Sequence, residues 1–162
     1  MARPGPVLID NNALSEALRV GAWNALSNGL MLETVEEVAG EALTGHLRRE
    51  VIDPIELRAR VAVQPVEDAA RVALAVRTAV YLDPGERDLW AHALTRIDGW
   101  ILCGPDRSSV RAAVELGLQD RLISLEALLD SVGFRPKSAL RAAYSKAWLA
   151  QAINEHRAGG RL

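Results

Sequence analysis

Two aspartates follow short aliphatic runs and are placed where a parallel sheet would bind a ligand. Asp10 comes directly after residues 7–9, and Asp106 lies just beyond residues 100–103. Both runs have the length and apolar character of buried parallel strands. Ligands of open parallel sheets bind in the crevice outside the carboxyl ends of the strands, so the two carboxylates are expected to share one crevice.

Two further acids, Glu41 and Asp88, come from helices predicted between these strands. A cluster of four carboxylates is strongly self-repelling and normally persists because a divalent cation neutralises it. Hard oxygen ligands favour Mg²⁺ or Mn²⁺. The four acids therefore predict a metal site made of Asp10, Glu41, Asp88 and Asp106.

Other interpretations of these acids stay open. The chain holds 21 Asp and Glu residues, and an aspartate at a strand end also serves as a turn former or helix cap. Glu37 lies one helical turn before Glu41, and Glu86 lies two residues before Asp88. Glu37 and Glu86 are therefore rival candidates for the same places.

The elements that would position these acids alternate along the chain. Short strands are predicted at 7–9, 30–32, 61–63, 100–103 and 122–124, and amphipathic helices lie between them. Thr34 and Glu37 form a predicted capping box at the start of one helix. Because parallel strands need helical crossovers, the alternation indicates an α/β fold with a mainly parallel sheet.

The chain divides by charge into an acidic body and a basic tail. Its 19 Lys and Arg residues against 21 Asp and Glu residues give a net charge of -2. Residues 1–132 carry -7 of this, and residues 133–162 carry +5. We predict that 1–132 form the α/β domain, and that the tail is a basic amphipathic helix starting at Pro136 and packed on that domain or on a partner.

Four stretches, in order and at plausible spacing, are similar to motifs of the PIN-domain nucleases, a family that includes the VapC-type toxins. They are Val7-Leu8-Ile9-Asp10-Asn11-Asn12, Val38-Ala39-Gly40-Glu41, residues 83–93 with Gly85-Glu86 and Asp88, and residues 101–118 with Asp106-Arg107 and Leu116-Gly117-Leu118. The resemblance covers residues 7–132. The sequence departs from the family at Gly104, where a hydroxyl residue is frequent.

The resemblance implies a three-layer α/β/α fold with four or five mainly parallel strands, and a Mg²⁺- or Mn²⁺-dependent endoribonuclease. It carries the acidic site over to Asp10, Glu41, Asp88 and Asp106, with Asp10, Asp88 and Asp106 on the metal and Asn12 as a supporting hydrogen-bonding group. The alternative is a catalytically silent PIN-like domain that acts as an interaction or regulatory module.

An acidic crevice cannot attract RNA by itself, so cations around it would have to hold the phosphates. The candidates are Arg107, Lys137, Arg141 and Lys146, with Arg48 and Arg49. A solvated tail helix packed on the body is the alternative for the tail residues. The apolar stripe of the tail also suits a homodimer surface or a protein antitoxin, which the toxin resemblance permits.

Composition excludes several classes of protein. A single cysteine, Cys103, excludes an internal disulfide framework and a cysteine-rich zinc module. No apolar stretch approaches the ~20 residues that a membrane span needs. We expect a cytoplasmic protein without membrane partners. Of the three histidines, His92 is interpreted as a helix-surface residue, and His46 and His156 lack a catalytic context.

Overall fold

A computed structural model of the protein describes residues 5–44 and 52–159. His46, Arg48 and Arg49 lie outside the described residues. The strands within these ranges are β1 (Val7–Ile9), β2 (Leu32–Val35), β3 (Val61–Gln64) and β4 (Ile101–Cys103). The α-helices in the described residues are α1 (Asn11–Arg19), α2 (Trp23–Gly29), α3 (Glu36–Thr44), α4 (Pro54–Arg60), α5 (Asp68–Arg77), α6 (Pro84–Leu94), α7 (Arg107–Leu116), α8 (Leu125–Ser131) and α9 (Lys146–Gly159).

The strands form one parallel sheet in the order β3-β2-β1-β4. The chain moves outward from β1 through β2 to β3 and then returns to place β4 on the other side of β1. The order therefore reverses between β1 and β4, which is the point where parallel sheets open a crevice at their carboxyl ends. The strand predicted at 122–124 is reduced to one bridge between Leu102 and Leu122.

Alternate side chains of the strands supply two hydrophobic cores, one on each face of the sheet. Val7 and Ile9 of β1 pack in a core with α1, α2 and α8, whereas Leu8 packs in a second core with α5, α6 and α7. The period of two along a strand sends successive side chains to opposite faces. The predicted α/β class and the three-layer α/β/α arrangement are confirmed.

The predicted capping box at Thr34 is wrong because the strand is longer than its apolar part. Thr34 lies inside β2, fully buried, and its hydroxyl donates to the carbonyl oxygen of Ile9 at 2.8 Å. This hydrogen bond ties β2 to the end of β1, one residue before Asp10. A polar side chain inside the strand thus helps to fix the crevice edge.

The tail helix starts at Lys146, ten residues later than predicted. The preceding segment is held against α1 by Glu16, whose buried carboxylate accepts from the Arg141 amide at 2.8 Å and from the Arg19 guanidinium. Arg19 also donates to the carbonyl oxygen of Ala139 at 2.9 Å. These tertiary hydrogen bonds use backbone groups that a helix starting at Pro136 would need, and α9 then packs on α7 and α8.

None of the helices in the described ranges has both the length and the apolar character required to cross a membrane.

Replacing Glu16 by Gln should lower the free energy of unfolding by about 1–3 kcal/mol at pH 7, because a buried charge-assisted network loses its anion. Burial raises the pKa of Glu16, but the Arg19 and Arg141 hydrogen bonds outweigh it and the net pKa is lowered. The difference between wild type and variant should therefore be present above pH 4.5 and shrink as the pH falls.

Denaturant titration at pH 7 and at pH 3 measures this effect. Glu126→Gln is the matched control, because Glu126 also accepts a backbone amide, that of Lys146, but at an exposed site. An equal loss of stability in both variants would contradict the role given to burial of Glu16.

Candidate functional site

Asp10 and Asp106 stand at neighbouring strand ends, as the sequence predicts. Asp10 follows β1 as the N-cap of α1, is 5% exposed, and its amide donates to the Cys103 carbonyl oxygen of β4 at 3.1 Å. Asp106 caps α7, and its carboxylate accepts from the Ser108 amide at 2.8 Å. Both carboxylates therefore lie at the crevice between β1 and β4.

A third aspartate, Asp83, joins them and was not among the predicted site residues. It caps α6 and accepts from the Glu86 amide at 2.9 Å. Pro84 and Glu86 follow at the first and third helical positions, an order typical of a helix start. That order was a usable sequence signal for a helix that starts at Asp83, and thus for Asp83 as its capping residue.

Glu86 is the most strongly perturbed acid of the site. Its carboxyl is buried and hydrogen-bonded to that of Asp106. Burial, followed by the charges of Asp106 and Asp83, raises the pKa of Glu86 to about 9. With a pKa of about 9, the Glu86 carboxyl keeps its proton at neutral pH.

Glu41 approaches the same place from α3. Its pKa is raised to about 7 by burial and then by the charges of Asp10 and Asp83, and the Gly85 amide partly opposes this shift. A Cβ atom at Gly85 would lie 2.6 Å from Oε1 and 2.7 Å from Oε2 of Glu41. Only glycine at position 85 therefore allows the Glu41 carboxylate to rest on the first turn of α6.

Asp10 is coupled to the same group of acids. Burial raises its pKa to about 6, the charges of Asp83 and Asp106 add to the shift, and the amides of Asn11 and Asn12 oppose it. We call these five residues the acid cluster: Asp10, Glu41, Asp83, Glu86 and Asp106. Three of them cap helices α1, α6 and α7, so three helix N-termini face the cluster with partial positive charge.

Asp88 does not join the cluster. Its buried carboxylate is bound by Arg71, with N–O distances of 2.8 and 2.9 Å, and by Arg87 at 3.0 Å. These arginines lower its pKa against the opposing effect of burial, which is the largest single contribution. Residues two apart on a helix point in opposite directions, so Glu86 faces the acids while Asp88 ties α6 to α5.

Among the other predicted positions, Glu37 is exposed and acts on Glu41 only as a neighbouring charge. Asn12 is exposed at the start of α1. His92, interpreted as a surface residue, is instead partly buried, with its Nε2 atom 2.7 Å from Glu33. Of the two rival residues Glu37 and Glu41, Glu41 is therefore the one that lies in the acid cluster.

The predicted RNA-contact residues are on or near the tail, and three are ion-paired. Arg107 pairs with Glu155 at 2.8 Å and lies over the Trp148 ring, Arg141 lies 3.7 Å from Glu16, and Lys146 pairs with Asp130. Lys137 is exposed. Of these four, Arg107 is the one adjacent in sequence to an acid of the cluster.

Gly104 leaves space beside Asp10. A Cβ atom there would lie 3.6 Å from the Asp10 Cβ and 3.8 Å from the hydroxyl oxygen of Ser109. That hydroxyl accepts a hydrogen bond from the Trp90 indole at 2.6 Å. Ser109 therefore places a buried hydroxyl beside Gly104.

Within residues 5–44 and 52–159, no three His, Cys, Asp or Glu side chains are arranged to hold a metal ion. Within the acid cluster, the Glu86 carboxyl is hydrogen-bonded to that of Asp106.

No protein-family model matches the chain. A comparison with curated proteins also gives no match.

The acid cluster should make the metal-free protein less stable as the pH rises. The folded pKa of Glu86, about 9, lies above the ordinary 4.5, so its contribution is fully present below pH 4.5 and is lost as the pH rises toward 9. Glu86→Gln removes this titration. The melting temperature of the variant should exceed that of wild type by roughly 3 °C or more at pH 8.5 in EDTA.

Thermal melting from pH 5 to pH 9 measures this difference, with Glu67→Gln as the control because Glu67 is exposed at the start of α5. The control should run parallel to wild type. Parallel curves for Glu86→Gln and wild type would show that Glu86 is not held protonated.

Proposed function

We propose that the protein is a metal-dependent endoribonuclease that hydrolyses RNA phosphodiester bonds, in line with its resemblance to PIN-domain nucleases. The observation that carries the proposal is the acid cluster at the carboxyl edge of the sheet. Burial and mutual repulsion raise the pKa of three of its acids to about 6, 7 and 9. Such shifts are concentrated at functional sites, because catalytic groups need pKa values that differ from those of free side chains.

The cluster offers the hard carboxylate oxygens that Mg²⁺ and Mn²⁺ prefer. Since no three of the described side chains are arranged around one point, the carboxylates would have to draw together to hold an ion. All five side chains offer carboxylate oxygens, and a divalent cation would replace the proton on Glu86 and relieve the repulsion on Asp10. Asp10, Glu86 and Asp106 would hold the ion, so Glu86 takes the place predicted for Asp88. When bound, the ion lowers the pKa of a water and stabilises charge on phosphoryl oxygens.

Side chains of the protein itself would accept a proton and bind the RNA near that ion. Glu41, with a pKa of about 7, is suited to accept a proton at neutral pH. The amide of Gly85 holds the Glu41 carboxyl in place, and the Asp83 carboxylate fixes the first turn of α6 under it. Arg107, next to Asp106 and exposed, would contact an RNA phosphate if it exchanged its pairing with Glu155.

The second candidate function is binding of a protein partner. The chain would then act as a catalytically silent module or as the toxin of a toxin–antitoxin pair. The observation that favours it is an apolar face on and after α5, where Val72, Val76 and Tyr81 are 62%, 81% and 83% exposed. Side chains of this size attract a partner surface when grouped. An antitoxin segment or a second copy of the chain would suit this face better than the tail stripe, which α7 and α8 already cover in part.

Ribonuclease assays should show activity with Mg²⁺ or Mn²⁺ that EDTA abolishes. Asp10→Asn and Glu86→Gln should each lower the rate by about 100-fold or more, because each removes a ligand charge at the site. Asp88→Asn is the matched control: the carboxylate it removes is equally buried but bound to arginines. It should lower the melting temperature and keep activity within about tenfold.

Single-stranded and structured RNA are the substrates for this comparison. Activity that survives EDTA or Asp10→Asn would refute the proposed site. Inactivity of a folded wild-type protein on both substrates would favour the interaction module.

Binding of Mn²⁺ should raise the melting temperature at pH 8 by roughly 5 °C at concentrations well above the dissociation constant. Gly85→Ala should reduce this shift, because the new Cβ displaces the Glu41 carboxylate while the flexible glutamate side chain absorbs the clash. Glu67→Gln should shift like wild type. A shift that persists in Asp10→Asn would place the ion elsewhere.

A further inference from the structure

A second concave site lies apart from the acid cluster, between the C-terminal half of α7 and the last turns of α9. The α7–α9 cleft has a volume of about 740 Å³ and is lined by polar and charged side chains. None of the five acids lines it. Its volume is within the range of ~300–1,000 Å³ that small-molecule sites usually have.

Two arginines could allow the cleft to bind an anion. Arg111 and Arg157 line it, and neither takes part in an ion pair or a side-chain hydrogen bond with any described residue. By contrast, Arg107, one turn before Arg111 on α7, is already paired with Glu155. An unpaired guanidinium in a cleft suits a phosphate, because its planar donors match two phosphate oxygens.

Two buried polar atoms in the same cleft lack a partner. These are Oε1 of Gln119 and Nε2 of His156, and neither has a hydrogen bond to the part of the chain that the structure describes. A buried polar atom left unpaired costs about 1–3 kcal/mol, so such atoms in native proteins usually meet water or a ligand. A glutamine amide and an imidazole can each donate or accept, so they suit hydroxyl groups.

The charges of the cleft distinguish a bare anion from a phosphate ester. Glu115 and Glu155 also line it, so the two arginines are roughly balanced by two carboxylates. Such a balance does not favour inorganic phosphate alone. It favours a ligand that carries a phosphate toward the arginines and hydroxyl groups toward the carboxylates, Gln119 and His156.

We propose that the α7–α9 cleft binds a ribose phosphate, with the phosphate on Arg111 and Arg157 and the sugar hydroxyls on Gln119 and His156. The ligand would be a free nucleotide or one ribose phosphate of an RNA strand. Helix α7 connects the two sites: it begins at Asp106 of the acid cluster and ends ~15 Å away at the cleft. The proposal goes beyond the nuclease function and does not require it.

Equilibrium binding in EDTA tests the proposal with four probes: AMP, adenosine, inorganic phosphate and a short single-stranded RNA. The double variant Arg111→Gln/Arg157→Gln should bind AMP or RNA at least tenfold more weakly than wild type. The control Arg77→Gln/Arg135→Gln makes the same charge change at two exposed arginines and should stay within twofold. A loss for AMP and RNA together indicates a nucleotide site, and a loss for RNA alone indicates a strand site.

Histidine NMR gives a readout that does not depend on the arginine variants. The chain has three histidines, so the His156 imidazole signal can be assigned with His156→Gln. Addition of the bound probe should shift this signal and leave that of His92 in place. Asp10→Asn should bind the probe as wild type does, which separates this site from the acid cluster.

Three results would overturn the proposal. They are wild-type affinity for both AMP and RNA in the Arg111→Gln/Arg157→Gln variant, equal losses in the two double variants, and binding of inorganic phosphate as tight as that of AMP.

Discussion

Repulsion between carboxylates at one edge of a parallel sheet is the constraint on which the arrangement of the protein depends. Three aspartates meet beyond the carboxyl ends of β1 and β4: Asp10, Asp83 and Asp106. Two glutamates, Glu41 from α3 and Glu86 from α6, join them. Each aspartate caps a helix, so the positive ends of α1, α6 and α7 offset part of the repulsion. Protons on the glutamates offset another part.

Helix α6 contributes most to this arrangement, because several residues of its first turns each have a separate role in it. Asp83 caps it, Gly85 leaves room for the Glu41 carboxylate, and Glu86 faces Asp106. Asp88, turned away by ~200°, binds Arg71 and fixes α6 against α5. A buried acid bound by two arginines and a buried acid with a strongly raised pKa are thus separated by only two positions on one helix.

The sequence was informative wherever a local pattern coincided with burial. The strands at 7–9, 61–63 and 100–103 were predictable because aliphatic runs of that length, bounded by turn residues, suit a buried parallel sheet. Asp10 and Asp106 followed from the strand ends. The choice of Glu86 over Asp88 did not, because their spacing allows either to face the sheet until the position of α5 and Arg71 is known. Likewise, Glu16 and Arg19 hold the segment before Lys146 by contacts across 120 residues or more, which no local pattern contains.

The opposite charges of body and tail are largely used within the molecule. Arg141 and Lys146 of the tail pair with Glu16 and Asp130 of the body, and Glu155 of the tail pairs with Arg107 of α7. The tail is therefore attached to the acidic body by ion pairs to which each side contributes both cations and anions. Arg111 of α7 and Arg157 of α9 form no ion pair with a described residue, and both line the α7–α9 cleft together with Glu115 and Glu155. The small net charge of -2 therefore conceals opposite charges that the fold brings together as ion pairs between body and tail.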